Sequence, residues 1–195
     1  MVLSDRQTEI IDKSISIIGT KGIQGLTIKN LSKEIGISEP AIYRHFESKT
    51  AILITILDNF KEMASFMGAT MKDNNGAAME KIEFMFTQII EVFSVTPCFI
   101  SVIFSEEVFK NENILKEKVI EIMDQNEQTI ETIIKQGQDK GEIRTDIDNN
   151  TLALMIMGTL RFRVKQWDLK NYHGDMKNEG ARLIANLKLI LAPSN

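Results

Sequence analysis

Apolar residues recur along this chain at spacings of three and four, with no stretch of strict alternation, so helices are the predicted elements. Ser4 with Gln7 three residues on forms a capping-box pattern ahead of Ile10, Ile11, Ile15, Ile17 and Ile18, which predicts a first helix from about Asp5 to Thr20. Gly22 and Gly25 bracket Ile23 in a turn, and Thr27 then stands where it can cap a second helix that buries Ile28, Leu31 and Ile35. Gly36 can close that helix in a left-handed backbone, and Ser38 can cap a short third helix through the amide of Ala41. Pro40 falls in the first turn, where its missing N–H breaks no hydrogen bond. Ile42 and Phe46, four apart, share an inner face with Ile35 and Ile37.

Ser48 can cap a fourth helix, whose inward residues Ile52, Leu53, Ile56, Leu57, Phe60, Met63 and Met67 exceed what three small helices need. It is the expected mechanical link between two halves. Past Asp73-Asn74-Asn75-Gly76, the residues Ile82, Phe86, Ile89, Ile90 and Phe93 define a fifth helix, and Thr96-Pro97 starts a short apolar sixth through about Phe104. Leu115, Val119, Ile122, Ile130, Ile133 and Ile134 mark a long helix ending before Gly141. Asp148 can cap the next, apolar nearly all round from Leu152 to Leu160. The last, from about Gly180 to Leu191, carries Leu183, Ile184, Leu187, Ile190 and Leu191 on one broad stripe. The fold expected is all-α with about nine helices, and no repeat or low-complexity tract interrupts it.

Composition narrows the classes. The chain has 195 residues, 43% of them apolar, which is enough to bury a core. Residues 1 to 50 carry seven Lys and Arg against six Asp and Glu, net +1, while the remainder carries 16 against 21, net −5. The front is the more basic part, although so small a difference does not by itself indicate nucleic acid. The single cysteine, Cys98, excludes an intramolecular disulfide and any multi-cysteine metal site, and its apolar setting suits a buried packing thiol. No apolar run has the length of a signal peptide or a membrane span, so a soluble cytoplasmic protein without membrane attachment is expected. A helical enzyme or carrier would need a nucleophile with its base, paired carboxylates or a phosphate loop. None is present, so no catalytic residue and no cofactor is assigned. His173 and Asp175 share the turn Asn171 to Asp175 but lack a third ligand, so no metal is assigned there.

The segment Gly36-Ile37-Ser38-Glu39-Pro40-Ala41-Ile42-Tyr43-Arg44-His45-Phe46 concentrates chemistry. With Ile42 and Phe46 turned inward, Glu39, Pro40, Ala41, Tyr43, Arg44 and His45 point wholly or partly outward, a set of donors and acceptors suited to reading DNA. The plainer reading is a helical hairpin with a wet outer face.

Together with Gly22 to Ile28 and Leu31 to Ile35, and continuing through Glu47-Ser48-Lys49, this segment resembles the signature of the TetR/AcrR family of bacterial transcriptional repressors. The motif covers about a quarter of the chain. Behind it, Gly141-Glu142-Ile143-Arg144 before an apolar helix is similar in style to the family's ligand-binding half. Ile23 stands where the family usually has an aromatic, and Glu39-Pro40 replaces the common small-residue and glycine pair, so the operator bases stay open. The resemblance implies a three-helix DNA-binding domain with a helix-turn-helix over residues 1–48 and a helical effector-binding and dimerisation domain over 49–195. It also implies a homodimer that binds a palindromic double-stranded DNA operator, represses transcription and lets go when a small molecule binds. Half-sites would then sit about 34 to 36 Å apart, or a small multiple.

On that resemblance Thr27, Lys29 and Lys49 match positions that meet phosphates, although Lys29 could reach a base edge, and Tyr43 and His45 would clamp sugar and phosphate. Arg44 could bind guanine in bidentate fashion or neutralise a phosphate. Glu39 could accept from a cytosine amino group or simply favour the helix dipole, and Ser38, Pro40 and Ala41 complete the face, the last two offering apolar surface to a thymine methyl. Large apolar groups that could line a cavity for a largely apolar effector are Phe60, Met63, Met67, Phe86, Phe93, Phe104, Phe162 and Trp167. The final two helices are the expected dimer interface, through Leu152, Met155, Leu183, Leu187, Ile190 and Leu191. Release would follow a shift of the fourth helix pushed at Met63 or Met67.

Overall fold

The computed structural model describes residues 3–72, 76–104 and 112–193, with the side chains of Met67, Met71, Lys72, Cys98 and Val102 excepted. The expectations for the Met67 and Cys98 side chains, and for the break at Asp73-Asn74-Asn75, lie outside the described residues. Nine helices and no strand occur among those residues: α1 Asp5–Gly25, α2 Ile28–Ile35, α3 Glu39–Tyr43, α4 Lys49–Lys72, α5 Ala78–Val95, α6 Cys98–Ile103, α7 Asn113–Asp139, α8 Asn149–Leu169 and α9 Met176–Leu191.

Local chemistry accounts for most of the boundaries. The capping box at Ser4 forms in both directions, with the Gln7 amide donating to Ser4 Oγ at 3.3 Å and the Ser4 amide to Gln7 Oε1 at 3.1 Å. α1 runs past the expected Thr20, because Gly22, at φ 68° and ψ 172°, breaks the helix without ending it and a further turn follows through Gly25. Ser48 caps α4 as expected, its hydroxyl accepting the Ala51 amide at 3.0 Å. Asp148 caps α8 by accepting from the Thr151 amide at 2.9 Å and the Thr151 hydroxyl at 2.8 Å. α9 starts earlier than expected, at Met176, because Asp175 caps it through the Asn178 amide at 3.0 Å.

The chain forms two compact units. The first comprises Met1–Glu62 with Pro97–Ile120, the second Met63–Thr96 with Glu121–Asn195, so α4 and α7 contribute residues to both. In the first, α1 buries isoleucines on more than one side, with Ile10 and Ile18 fully enclosed, and packs against α2 and α6. Ser14 is buried there because its hydroxyl donates to the Ile10 carbonyl at 2.7 Å. Lys118 of α7 pairs with Asp58 of α4 at 2.6 Å.

In the second unit α9 lies on α5 so closely that a Cβ on Gly180 would overlap Cδ1 of Ile90. Arg144 holds the end of α9: its amide donates to the Leu191 carbonyl at 3.0 Å, and its Nη1 donates to the Ile190 carbonyl at 3.2 Å, while Asp146 takes two further guanidinium hydrogen bonds. α8 was expected to be apolar nearly all round. It buries a single stripe of Leu152, Ala153, Ile156, Leu160 and Val164, and leaves Leu154, Met155 and Phe162 exposed.

Candidate nucleic-acid interface

The surface around α3 is built by fixing one side of a very short helix. Thr27 Oγ1 accepts the Asn30 amide at 3.1 Å, and Asn30 Nδ2 donates to the Gly25 carbonyl at 2.9 Å, which ties the start of α2 to the end of α1. Gly36, at φ 78° and ψ 30°, closes α2 with its amide on the Ser32 carbonyl at 2.9 Å, and the Ile37 amide shares that carbonyl at 3.0 Å. Ser38 stands at the cap position of α3, but its hydroxyl makes no capping bond, contrary to expectation. The Ala41 amide instead meets the Ser38 carbonyl at 2.9 Å in a tight first turn, and Pro40 has no N–H to offer.

Ile42 is fully buried and Phe46 nearly so, and Gln7 Nε2 reaches the His45 carbonyl at 3.5 Å, so the helix is held from its inner face and from its far end. With that face fixed, Ser38, Glu39, Pro40, Arg44 and His45 are exposed, Ala41 is half-buried, and Tyr43 is 51% exposed with no described aromatic partner. Thr27 and Lys29 are exposed at the start of α2. Lys49 behaves differently: its ammonium donates to the Ile23 carbonyl at 3.1 Å, and burial pushes its pKa below the ordinary lysine value while the charge of Glu112 opposes that shift.

Among the front-half cations, Arg6 pairs with Glu9 and Lys13 with Glu34, whereas Lys29 and Arg44 make no ion pair with a described residue. Lys21 and Lys33 are likewise uncommitted, and sequence reasoning passed over them. Their signal was the absence of any acid three or four positions away on the helix. The surface therefore combines a phenol, an imidazole, a guanidinium, an ammonium and one carboxylate, groups that bind phosphate oxygens and base edges.

The effector candidates differ in exposure. Phe60, Met63, Phe104 and Trp167 are half-buried, Phe86 and Phe93 are buried, and Phe162 is 65% exposed. Trp167 is committed locally, donating from Nε1 to the Gly174 carbonyl at 3.2 Å and meeting Tyr172 edge-on at 5.1 Å. A groove of about 260 Å³ between α5 and α9 is lined by none of these residues and is spanned by Lys177–Glu91 at 2.7 Å and Lys188–Glu83 at 2.6 Å. Of the interface candidates, Leu152, Leu187 and Leu191 are buried within the chain itself, so they pack its own core. Leu183 is half-buried, and Met155 and Ile190 are exposed beside Leu154 and Leu189. Among the described residues no group of three His, Cys, Asp or Glu could hold a metal ion, and no helix is long and apolar enough to cross a membrane.

Comparison with known proteins agrees with this surface. Residues 10–56 match bacterial regulatory proteins of the tetR family, and residues 79–178, half the chain, match the tetracyclin repressor-like C-terminal domain. The fatty acid metabolism regulator protein of Bacillus subtilis (strain 168) is 24% identical over 171 residues, 86% of each chain. The HTH-type transcriptional repressor DhaR of Mycobacterium sp. (strain GP1) is 23% identical over 145 residues, 74% of this chain and 73% of that one. The fold is that of the transcriptional regulator FadR from Bacillus subtilis in complex with stearoyl-CoA, at a TM-score of 0.79 and 21% identity over 92% of this chain and 96% of that one. A helix-turn-helix with an exposed polar face, joined to a matching helical region behind it, places the protein in the tetR family as a DNA-binding transcriptional regulator.

Proposed function

We propose that the protein is a homodimeric repressor that binds a palindromic DNA operator through two copies of α3 and is released by a small, largely apolar effector. The observation that carries this reading is the contrast between adjacent residues on α3, Ile42 fully enclosed and Tyr43 half exposed, which holds a polar face rigid against a groove. Residues 1–48 supply the reading part and 49–195 the effector-binding and dimerisation part. Tyr43, His45, Thr27 and Lys29 meet sugar and phosphate, Lys49 acts at the same edge, Arg44 contacts guanine or phosphate, and Glu39, with Ser38, Pro40 and Ala41, selects bases.

A second copy covers the exposed apolar residues of α8 and α9, Leu154, Met155, Phe162, Leu189 and Ile190. An effector must prefer a conformation in which the two reading helices no longer fit the groove spacing. Met63, Phe86 and Phe93 support an apolar site, and stearoyl-CoA, bound by the FadR structure named above, is the first compound to try. The protein acts in the cytoplasm.

Gel-shift titration over genomic fragments tests the reading. A dimer making about six to eight phosphate contacts has a log–log salt slope near −5 to −7. Retention of no fragment at low ionic strength by folded protein would end it.

A further inference from the structure

A helix leaves its last carbonyls without amide partners of its own, so where that end is packed against other elements, their side chains must serve it. At the C-terminal turn of α1 two carbonyls are served this way. Asn30 of α2 donates from Nδ2 to the Gly25 carbonyl at 2.9 Å, and Lys49, the first residue of α4, donates from Nζ to the Ile23 carbonyl at 3.1 Å. The Ile23 carbonyl also receives the Leu26 amide at 3.3 Å. Because Gly22, at φ 68°, interrupts α1 just before, this turn is not held by a continuous helix. The side chains of Ile23 and Leu26 anchor it from within, both buried.

Lys49 is placed differently from the cations that face outward near α3. Lys29 and Arg44 are exposed. Lys49 is half-buried, and burial lowers its pKa against the opposing charge of Glu112, so its ammonium is partly withdrawn from the water through which a phosphate approaches. An ammonium on the closing carbonyls of a helix also meets the negative end of the helix dipole, which favours that placement. Ile23, Asn30, Lys49 and Glu112 all belong to the first compact unit.

We propose that Lys49 is a positioning residue: its ammonium fastens the first turn of α4 to the turn between α1 and α2, and so sets how α3 meets DNA, instead of neutralising a phosphate. The assignment deepens the DNA-binding reading and rests on it, but it needs neither the dimer nor the effector.

The test uses full-length wild type, Lys49→Met and Lys49→Arg with the duplex that wild type enriches from random-sequence DNA. Affinity is read from about 50 to 200 mM salt, and amide hydrogen exchange is read on the DNA-free proteins. Lys49→Met, measured well below its Tm, should bind on the order of 10-fold more weakly at every salt concentration, with the wild-type log–log slope. Its Leu26 amide should exchange faster than in wild type, and Lys49→Arg should recover most of the affinity. A lysine that met phosphate would instead make the slope shallower by about 0.9 for each one removed.

That shallower slope, an affinity equal to wild type, or a Leu26 amide that exchanges no faster overturns the assignment. If Lys49→Met does not fold, Lys49→Gln takes its place under the same criteria, since it too removes the charge that a phosphate would need. A shallower slope sinks this assignment and leaves DNA binding standing, whereas folded wild type that enriches no DNA sinks both.

Discussion

Ile42 and Tyr43 are neighbours on the chain and opposite in environment, and the difference separates holding from reading. A short helix has little stability of its own, so α3 keeps its geometry only because Ile42 and Phe46 are enclosed. Tyr43→Ala should leave thermal stability almost unchanged and weaken binding to every DNA site, on the order of 10-fold. Glu39→Ala should alter which operator is preferred in a selection from random DNA, and equal losses on all sequences would contradict a base-reading role. At Asp148 the Thr151 amide and hydroxyl hold the carboxyl below its ordinary pKa. A depressed carboxyl contributes stability that is present above its unfolded pKa and lost as pH falls through the folded value. Asp148→Asn keeps a capping group without the titration, so the difference in Tm between wild type and variant should shrink between pH 7 and pH 3.

Elements meet where side chains are smallest. Gly180 lets α9 approach α5 to a distance at which Ile90 occupies the space of a Cβ. Gly180→Ala should therefore destabilise by about 1–3 kcal/mol in chemical denaturation, less if the tip of Ile90 turns aside. Adding Ile90→Val to that variant should recover part of the loss; an additive double mutant would show that the two groups do not meet. Arg144 shows how a motif legible in the sequence acquires a task only in the fold. Gly141-Glu142-Ile143-Arg144 is legible as a stretch ahead of an apolar helix, but the Ile190 and Leu191 carbonyls to which Arg144 donates come from far along the chain.

At the scale of the whole molecule, α8 and α9 leave Leu154, Met155, Phe162, Leu189 and Ile190 exposed. Under the proposed pairing, Phe162→Glu with Leu154→Glu should convert a dimer to a monomer in light scattering with helix content retained, and operator affinity should fall with it. Unchanged mass would place the second copy elsewhere. Spin labels near Tyr43 should report different separations within the dimer with and without effector. Identical separations would remove the proposed release mechanism.

Sequence alone determined what depends on neighbours along the chain: the helical segments found among the described residues, the caps at Ser4, Thr27, Ser48 and Asp148, the left-handed residue at Gly36, and the split between inner and outer residues of α3. Each follows from helical periodicity or from a side chain meeting a backbone group a few residues away. Tertiary structure decided which side of a helix with more than one apolar face is covered. Leu152, Leu187 and Leu191 go inward while Leu154, Met155 and Ile190 stay out, because a stripe records apolarity and not the direction of its partner. It also committed Lys49 to the Ile23 carbonyl, since a charge's worth is set by what folding brings against it from elsewhere in the chain.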